Sequence, residues 1–406
     1  MSNSTLYEHS LKGITAPEGF LATGVHAGIK ADGLDMALIF SVKVATMAGT
    51  FTTNRVAAAP VVFCREQLKG GVGQAIVINS GVANACTGTT GFKNVELTAQ
   101  IAAETLGISV NLVYVCSTGV IGKQLPMQAI ENGIKIAGRQ LSKEGGSLAA
   151  RAIMTTDTQP KESVVEIKVG GKKVTIGGMC KGAGMIEPNM ATMLAFITTD
   201  ADVPKEDLQK ALSSAVNESF NRISVDGCQS TNDTVLMMAN GMAGADKLYE
   251  GHPDWKKFVE GLNELTRDLA LKIVADGEGA TKLVTIRVVG AVSNDDARKI
   301  CRAIANSLLV KTSWYGGDPN WGRVMSAIGA SGAYVLPEMV CIRYNDSNIV
   351  TNGVETDESS RAKLARIISQ REFCITVDLH LGGGEDVIYT CDCSEEYVRI
   401  NSEYST

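Results

Sequence analysis

Histidine is scarce in this chain of 406 residues: there are four, His9, His26, His252 and His380, and none stands in an HExxH frame. A zinc hydrolase built on paired imidazoles is therefore not expected, and a serine–histidine triad has little to draw on. The 10 cysteines are dispersed, only Cys391 and Cys393 are near neighbours, and no CxxC pair occurs. Reduced, mostly buried thiols follow, with no metal site. Long apolar runs are missing too, and MSNSTLYEHSLKGI at the start has neither the basic residues nor the apolar core of a secretory signal. The expected setting is the cytoplasm, away from membranes. Basic charge is not in excess, with 38 Lys and Arg against 44 Asp and Glu and a net charge of -6. No nucleic-acid partner is expected from that balance. Gly70–Gly73 and the Gly382–Gly384 run match neither a Walker A nor a GxGxxG frame.

What is present is enough apolar material, 45%, to fill more than one core. Short apolar strands alternate with glycine-rich turns and helices. Ala37–Thr53 reads as one strand or a pair, Gln74–Asn79 as a buried strand followed by a loop (SGVANACTGTTG), and Val95–Leu106 as a helix stopped by Gly107. Leu112–Cys116 is a further strand running into a turn at Ser117-Thr118-Gly119, before a helix opened by Pro126 with Ile130, Ile134, Ala137 and Leu141 inward. Val164–Ile176 alternates around Gly170-Gly171 as a hairpin does. Later come a strand in ATMLAFITT, a helix over Lys205–Val216, a polar loop (SFNRISVDGCQSTND), a strand (TVLMMA) and a long helix, Trp255–Ala275. Beyond Gly279, helices at Asp295–Leu308 and Arg361–Ser369 and strands around Ile375 and Val387 suggest a smaller unit. The expected fold class is α/β, with mixed α+β layers of an αββα-type sandwich over residues 1–280 and a smaller α+β domain over 281–406. GDPNWGR reads as a turn whose Trp321 and Arg323 pack the loop in preference to binding an anion.

The chemistry centres on Thr192. A threonine hydroxyl is a weak nucleophile, but an α-amino group on the same residue, with a pKa of about 8, can serve as its base. Such an amine requires a chain break before the residue. Ala191 is small, and the Gly- and Pro-containing segment before it could hold the Ala191 carbonyl open to the Thr192 hydroxyl. Taken alone, a threonine leading an apolar strand is ordinary sheet composition.

Several segments together change that weighing. KGAGMIEPNMATMLAF, with CSTGVIG, MTTDTQPK, DGCQSTNDT, ADGEGATK and GDPNWGR, resembles the ornithine acetyltransferase (glutamate N-acetyltransferase) family of arginine biosynthesis over essentially the whole chain. The resemblance implies self-cleavage between Ala191 and Thr192 into two segments that stay together, expected as an α2β2 assembly. It implies catalysis by Thr192 with an oxyanion hole at Thr118 and Gly119, and substrate binding by Thr155, Lys181, Thr192, Glu278, Asn401 and Thr406. Lys181 suits an α-carboxylate and Glu278 the side-chain ammonium of ornithine. The implied reaction moves acetyl from N2-acetylornithine to glutamate, with no bound cofactor. Because some members also take acetyl from acetyl-CoA, a bifunctional enzyme is the preferred expectation. Two other readings stay open. An N-terminal-nucleophile aminopeptidase or amidase would hand the acyl group to water, and a non-catalytic ligand-binding protein would remain uncut and unacylated.

Overall fold

The computed structural model describes residues 13–187, 193–357 and 359–403. Its first stretch holds β1 (Phe20–Val25), β2 (Met36–Phe51), α1 (Ala59–Leu68), β3 (Val72–Val82), α2 (Gly88–Leu106), β4 (Val113–Val120), α3 (Met127–Gln140), α4 (Gly146–Ala152), β5 (Lys161–Val169) and β6 (Lys172–Lys181). Then follow β7 (Leu194–Thr199), α5 (Lys205–Glu218), β8 (Ile223–Ser224), β9 (Thr234–Ala239) and α6 (Trp255–Ala275). The last stretch holds β10 (Leu283–Ala291), α7 (Asn294–Ala305), α8 (Leu308–Tyr315), α9 (Trp321–Gly329), β11 (Cys341–Tyr344), β12 (Ser347–Thr351), β13 (Val354–Glu355), α10 (Ser359–Ile368), β14 (Glu372–Asp378), β15 (Gly384–Cys391) and α11 (Glu395–Glu403).

The first sheet runs β4-β3-β2-β9-β7-β6-β5, with β1 also on β2. Strand β2 changes partners along its length. On one edge Met36–Ser41 pair with β1 and Thr46–Phe51 with β9, while on the other β3 pairs with Met36–Phe40 and, past a register shift, with Ala45 and Thr46. Such an irregularity bends a strand, and here it carries the sheet over onto itself. Ile39, Ile78 and Tyr114 from one half therefore share a buried core with Met179, Phe196 and Met238 from the other. The outer faces are covered by helices. Val95 and Ala99 of α2 and Ile130 and Ile134 of α3 pack on Leu38, Val77 and Val115. Leu208 and Leu212 of α5 and Leu262 and Leu265 of α6 pack on Ala195, Val235 and Met237. The order helix, sheet, sheet, helix is the expected αββα sandwich. In α6 the inner residues Phe258, Leu262, Leu265, Leu269 and Ile273 recur every three or four positions and are 0% exposed, each contributing about 2 kcal/mol by burial.

The second sheet, β13-β12-β11-β14-β10-β15-β8, is covered on one face by α7 to α10. Most of it lies beyond residue 280. Strand β8, however, comes from the polar loop before β9 and pairs with β15, and α11 follows β15 back toward the first sheet.

Several local expectations change. Ser117-Thr118-Gly119 is not a turn: β4 continues to Val120, paired with β3 at Asn79–Val82. Helix α2 starts at Gly88, inside the expected loop, because Asn84 Nδ2 donates to Gly91 O at 3.0 Å and Thr87 Oγ1 to Asn84 Oδ1 at 2.7 Å, which anchors a turn of poor helix formers. The helix expected at Asp295–Leu308 ends at Ala305 because Ser307 caps a new one, α8, accepting from Val310 N at 3.4 Å. The Gly170-Gly171 hairpin stands, with φ of +54° and +81° at its two corner residues. Trp321 packs on the second core, and Arg323 donates to Leu309 O at 2.7 Å, in keeping with the packing role. All ten cysteines are free thiols, and five of them are buried. Among the described residues no helix is long and apolar enough to cross a membrane, and no cluster of side chains suits a metal ion.

Candidate active site

Three strand ends and two helix ends meet at one cleft of about 130 Å³. Strand β4 brings Thr118 and Gly119, the segment after α4 brings Thr155 and Thr156, β6 ends in Lys181, the segment after α6 brings Glu278, and α11 brings Tyr397 and Asn401. Thr118, Gly119, Thr155, Lys181, Glu278 and Asn401 thus line one space although they span most of the chain. The loop before β9 completes the wall with Cys228, Ser230, Thr231 and Asn232. Ala191, Thr192 and Thr406 lie outside the described residues. Two residues after Thr192, Leu194 pairs with Lys181 on one side and Thr234 on the other.

Gly119 has φ of +129°, a region that favours glycine, and a Cβ there would stand 2.3 Å from the carbonyl carbon of Gly81. Only a residue without a side chain fits so close a crossing of β3 and β4. Asn232 fixes the same strand ends: its Nδ2 donates to Ala83 O at 2.6 Å and to Ser117 O at 2.8 Å. Ser117 Oγ in turn donates to Asn79 Oδ1 at 2.6 Å.

Lys181 is 6% exposed, so it is no solvated surface charge. Burial pulls its ammonium below the usual lysine range, and Asp157 opposes that pull from 3.9 Å. Asp157 collects four partners. Its Oδ1 accepts from Lys161 Nζ at 2.7 Å and from Gly182 N at 2.7 Å, and its Oδ2 accepts from Thr155 N at 3.0 Å and faces Lys181. Burial alone would raise the Asp157 pKa, but Lys181 and Lys161 hold it down to about 2. Lys161, 2% exposed, also reaches Asp276 at the end of α6 at 2.5 Å. Burial disfavours its charge, yet the two carboxylates outweigh that and raise its pKa. Two lysines and two aspartates therefore form one buried network beneath Thr155 and Lys181.

Glu278 is 7% exposed, and its carboxylate lies against Gly184, where a Cβ would come within 2.3 Å of Oε1. Asn401 Nδ2 donates to Glu278 Oε2 at 2.7 Å, so this part of the tail is a seated helix and not a frayed end. Asp226 holds the bend that follows β6, accepting from Met185 N at 2.6 Å and Ile186 N at 2.9 Å, while Tyr397 Oη donates to it at 3.3 Å. Arg302 of α7 pairs with Glu187 at the end of that segment. At the head of β9, Asp233 is 3% exposed, and burial pushes its carboxyl well above the usual range.

Asp157, Lys161, Asp226, Asn232 and Tyr397 were not singled out from the sequence. Asp157 and Lys161 stand inside MTTDTQPK and Asp226 and Asn232 inside the DGCQSTNDT region, so the segments were visible while the partners were not. A cluster of polar side chains at the ends of packed strands, with one buried carboxylate balancing two lysines, is the setting of an enzyme that handles a charged small molecule.

The chain belongs to the ArgJ family, whose model matches residues 21–406. It is 48% identical over 397 residues to the arginine biosynthesis bifunctional protein ArgJ of Symbiobacterium thermophilum, covering 97% of this chain and 98% of that one. To the protein of the same description from Caldanaerobacter subterraneus subsp. tengcongensis it is 47% identical over 399 residues, with 97% and 98% covered. Among solved structures it resembles the arginine biosynthesis bifunctional protein ArgJ of Bacillus halodurans, with a TM-score of 0.50 and 43% identity. That match covers 52% of this chain and 100% of the solved one.

Proposed function

We propose that the protein is a self-processing acetyltransferase of arginine biosynthesis that moves acetyl from N2-acetylornithine to glutamate through an acetyl-Thr192 intermediate. The observation that carries the reading is the convergence of Thr118, Gly119, Thr155, Lys181, Glu278 and Asn401 on one cleft at the edge of the strand that Thr192 precedes. Maturation begins when Thr192 Oγ attacks the Ala191 carbonyl carbon and the peptide bond shifts from nitrogen to oxygen. Water then cleaves the ester, leaving a carboxylate on Ala191 and a free amine on Thr192. The solved relative that aligns from end to end spans only about half of this chain, the length one such fragment would have, which supports the reading.

In turnover the Thr192 amine takes the hydroxyl proton as Oγ adds to the acetyl carbonyl, and the negative oxygen settles against Thr118 and Gly119. One such donor is worth roughly 3 kcal/mol of transition-state stabilisation. Ornithine departs carrying the proton. The glutamate amine then attacks the acetyl-threonine ester, and N-acetylglutamate leaves. Lys181 and Thr155 hold the α-carboxylate end, Glu278 and Asn401 the ornithine ammonium, and Thr406 closes the tail over the site. Acetyl-CoA is a second acetyl source, in keeping with the bifunctional description of the relatives. No bound cofactor is invoked, and the working form is an α2β2 assembly in the cytoplasm.

Mass spectrometry of freshly purified protein tests the reading. Two fragments beginning at Met1 and Thr192 are expected, the second gaining one acetyl group from N-acetylornithine and losing it on addition of glutamate. Thr192→Ala should stay uncut and inactive; a processed, active variant would overturn the assignment, as would acetyl release that ignores glutamate.

A further inference from the structure

Any enzyme that passes acetyl from ornithine to glutamate in one cleft faces a charge problem. Both substrates carry an α-carboxylate, but the ornithine side chain ends in a cation and the glutamate side chain in an anion. Glu278 suits the first and repels the second. With Lys181 committed to the shared α-carboxylate, the acceptor needs another cation.

We propose that Lys30 is that cation: it binds the side-chain carboxylate of the acceptor and so selects glutamate in the second half of the reaction. The inference rests on the function proposed above. Lys30 sits in the loop between β1 and β2, and the loop is built around Asp35, which is 0% exposed. Asp35 Oδ1 accepts from Ala27 N at 2.6 Å, and Oδ2 accepts from Gly28, Ile29 and Lys30 N at 3.1, 2.7 and 3.0 Å. A backbone held by four such bonds presents its side chain from a fixed point. The Lys30 stem then lies over Gly81, where a Cβ would come within 2.9 Å of Lys30 Cγ. Gly81 is the register partner of Gly119 in the cleft wall. Lys30 Nζ donates to Met154 O at 3.2 Å, one residue before Thr155 of the cleft wall, so the side chain runs behind two wall residues, Gly119 and Thr155.

Its valence is open. Among the described residues no carboxylate lies within 4.0 Å of Lys30 Nζ, whereas Lys161 is enclosed by two aspartates and Arg302 is paired with Glu187. Burial draws the Lys30 pKa below the ordinary lysine value, and the more distant charges of Asp35 and Asp157, which favour the ammonium, do not offset it. A half-buried ammonium with one carbonyl partner gains a full charge-assisted bond when a carboxylate arrives.

The two half-reactions separate the roles. In Lys30→Met, acetylation of the Thr192 fragment by N-acetylornithine should stay within about twofold of normal, and that step also reports correct folding. Transfer onward to glutamate should show a KM raised about tenfold or more, and the preference for glutamate over glutamine as acceptor should fall by a similar factor. Lys30→Arg should recover most of that preference. An unchanged glutamate-to-glutamine ratio would overturn the proposal. So would a parallel loss with N-acetylornithine, because it would place Lys30 on the shared α-carboxylate or in a purely structural role. Absence of acetyl transfer in the unmutated protein would instead retire the function itself.

Discussion

At the scale of single residues, Asp157 is the group on which most of the site's charge rests. It neutralises two buried lysines at once and orients the Thr155 and Gly182 backbones. Asp157→Asn removes the charge and leaves the shape, and Lys161 retains Asp276. Lys181 keeps no equally close carboxylate and should give up its proton at lower pH. The expected outcome is a KM for N-acetylornithine that begins to climb at lower pH in the variant than in the unmutated enzyme, with kcat changed much less. A pH-independent loss would mean that Asp157 acts only as a structural tie. Stability carries a second signature. A carboxylate lowered to about 2 contributes stability present above its ordinary value near 4, and that contribution is lost as pH falls toward 2, amounting to about 2 kcal/mol. Urea midpoints of the two proteins should therefore differ most above pH 4 and converge in acid.

At the scale of elements, β4 is positioned from outside its own ladder. Its last residues, Thr118 and Gly119, belong to the cleft, and Asn232, two residues before β9, ties Ser117 O and Ala83 O together. Asn232→Ala leaves both carbonyls without that donor and lets the end of β4 drift relative to β3. A loss of roughly tenfold to a hundredfold in kcat is expected, with KM held within a few-fold, because the oxyanion role proposed for Thr118 and Gly119 acts on the transition state and not on bound substrate. A KM effect alone would show that the loop shapes binding only. The loop illustrates what could be read in advance. Helices with an unbroken 3.6-residue pattern, such as α6, and strands with one continuous apolar run, such as β9, were legible to the residue. The hairpin was fixed by two glycines. By contrast β1, α1 and β10 to β13 were not recognised, and β8 is two residues of strand inside a polar loop, held by β15 from much later in the chain. The same reason hid the site's supporting residues: Asp157, Asn232 and Lys30 act through partners far off in sequence, and no local period records such a contact. Of the residues that line the cleft, Thr118, Gly119, Thr155, Lys181, Glu278 and Asn401 were named from the sequence and Asp226, Asn232 and Tyr397 were not, while Thr192 and Thr406, though named, lie outside the described residues.

At the scale of the whole molecule, a cut before Thr192 divides the chain but not the fold. In the first sheet β9 and β7, which follow the cut, lie between β2 and β6, which precede it. Every ladder contact of β7 with β6 and of β9 with β2 would thus join one fragment to the other. The cores are shared as well: Val174 and Ile176 pack with Leu208, Leu262 and Leu265, and Ile39 and Ile78 with Phe196 and Met238. Removing either fragment would strip the shared cores from the strands left behind and orphan edge N–H and C=O groups of β2, β6, β7 and β9, leaving whole only the core under α2 and α3 in the first fragment and that of the second sheet in the second. Cleavage should therefore leave the thermal unfolding transition single, with both fragments eluting together in native size-exclusion chromatography and parting only in denaturant. Expressed separately, each fragment should be insoluble or unfolded by circular dichroism, and co-expression from two genes should restore a folded particle whose second fragment starts at Thr192. A soluble, cooperatively folded single fragment would contradict the shared-sheet argument, because the outer edges of the β7–β9 pair are covered by β6 and β2 of the other fragment.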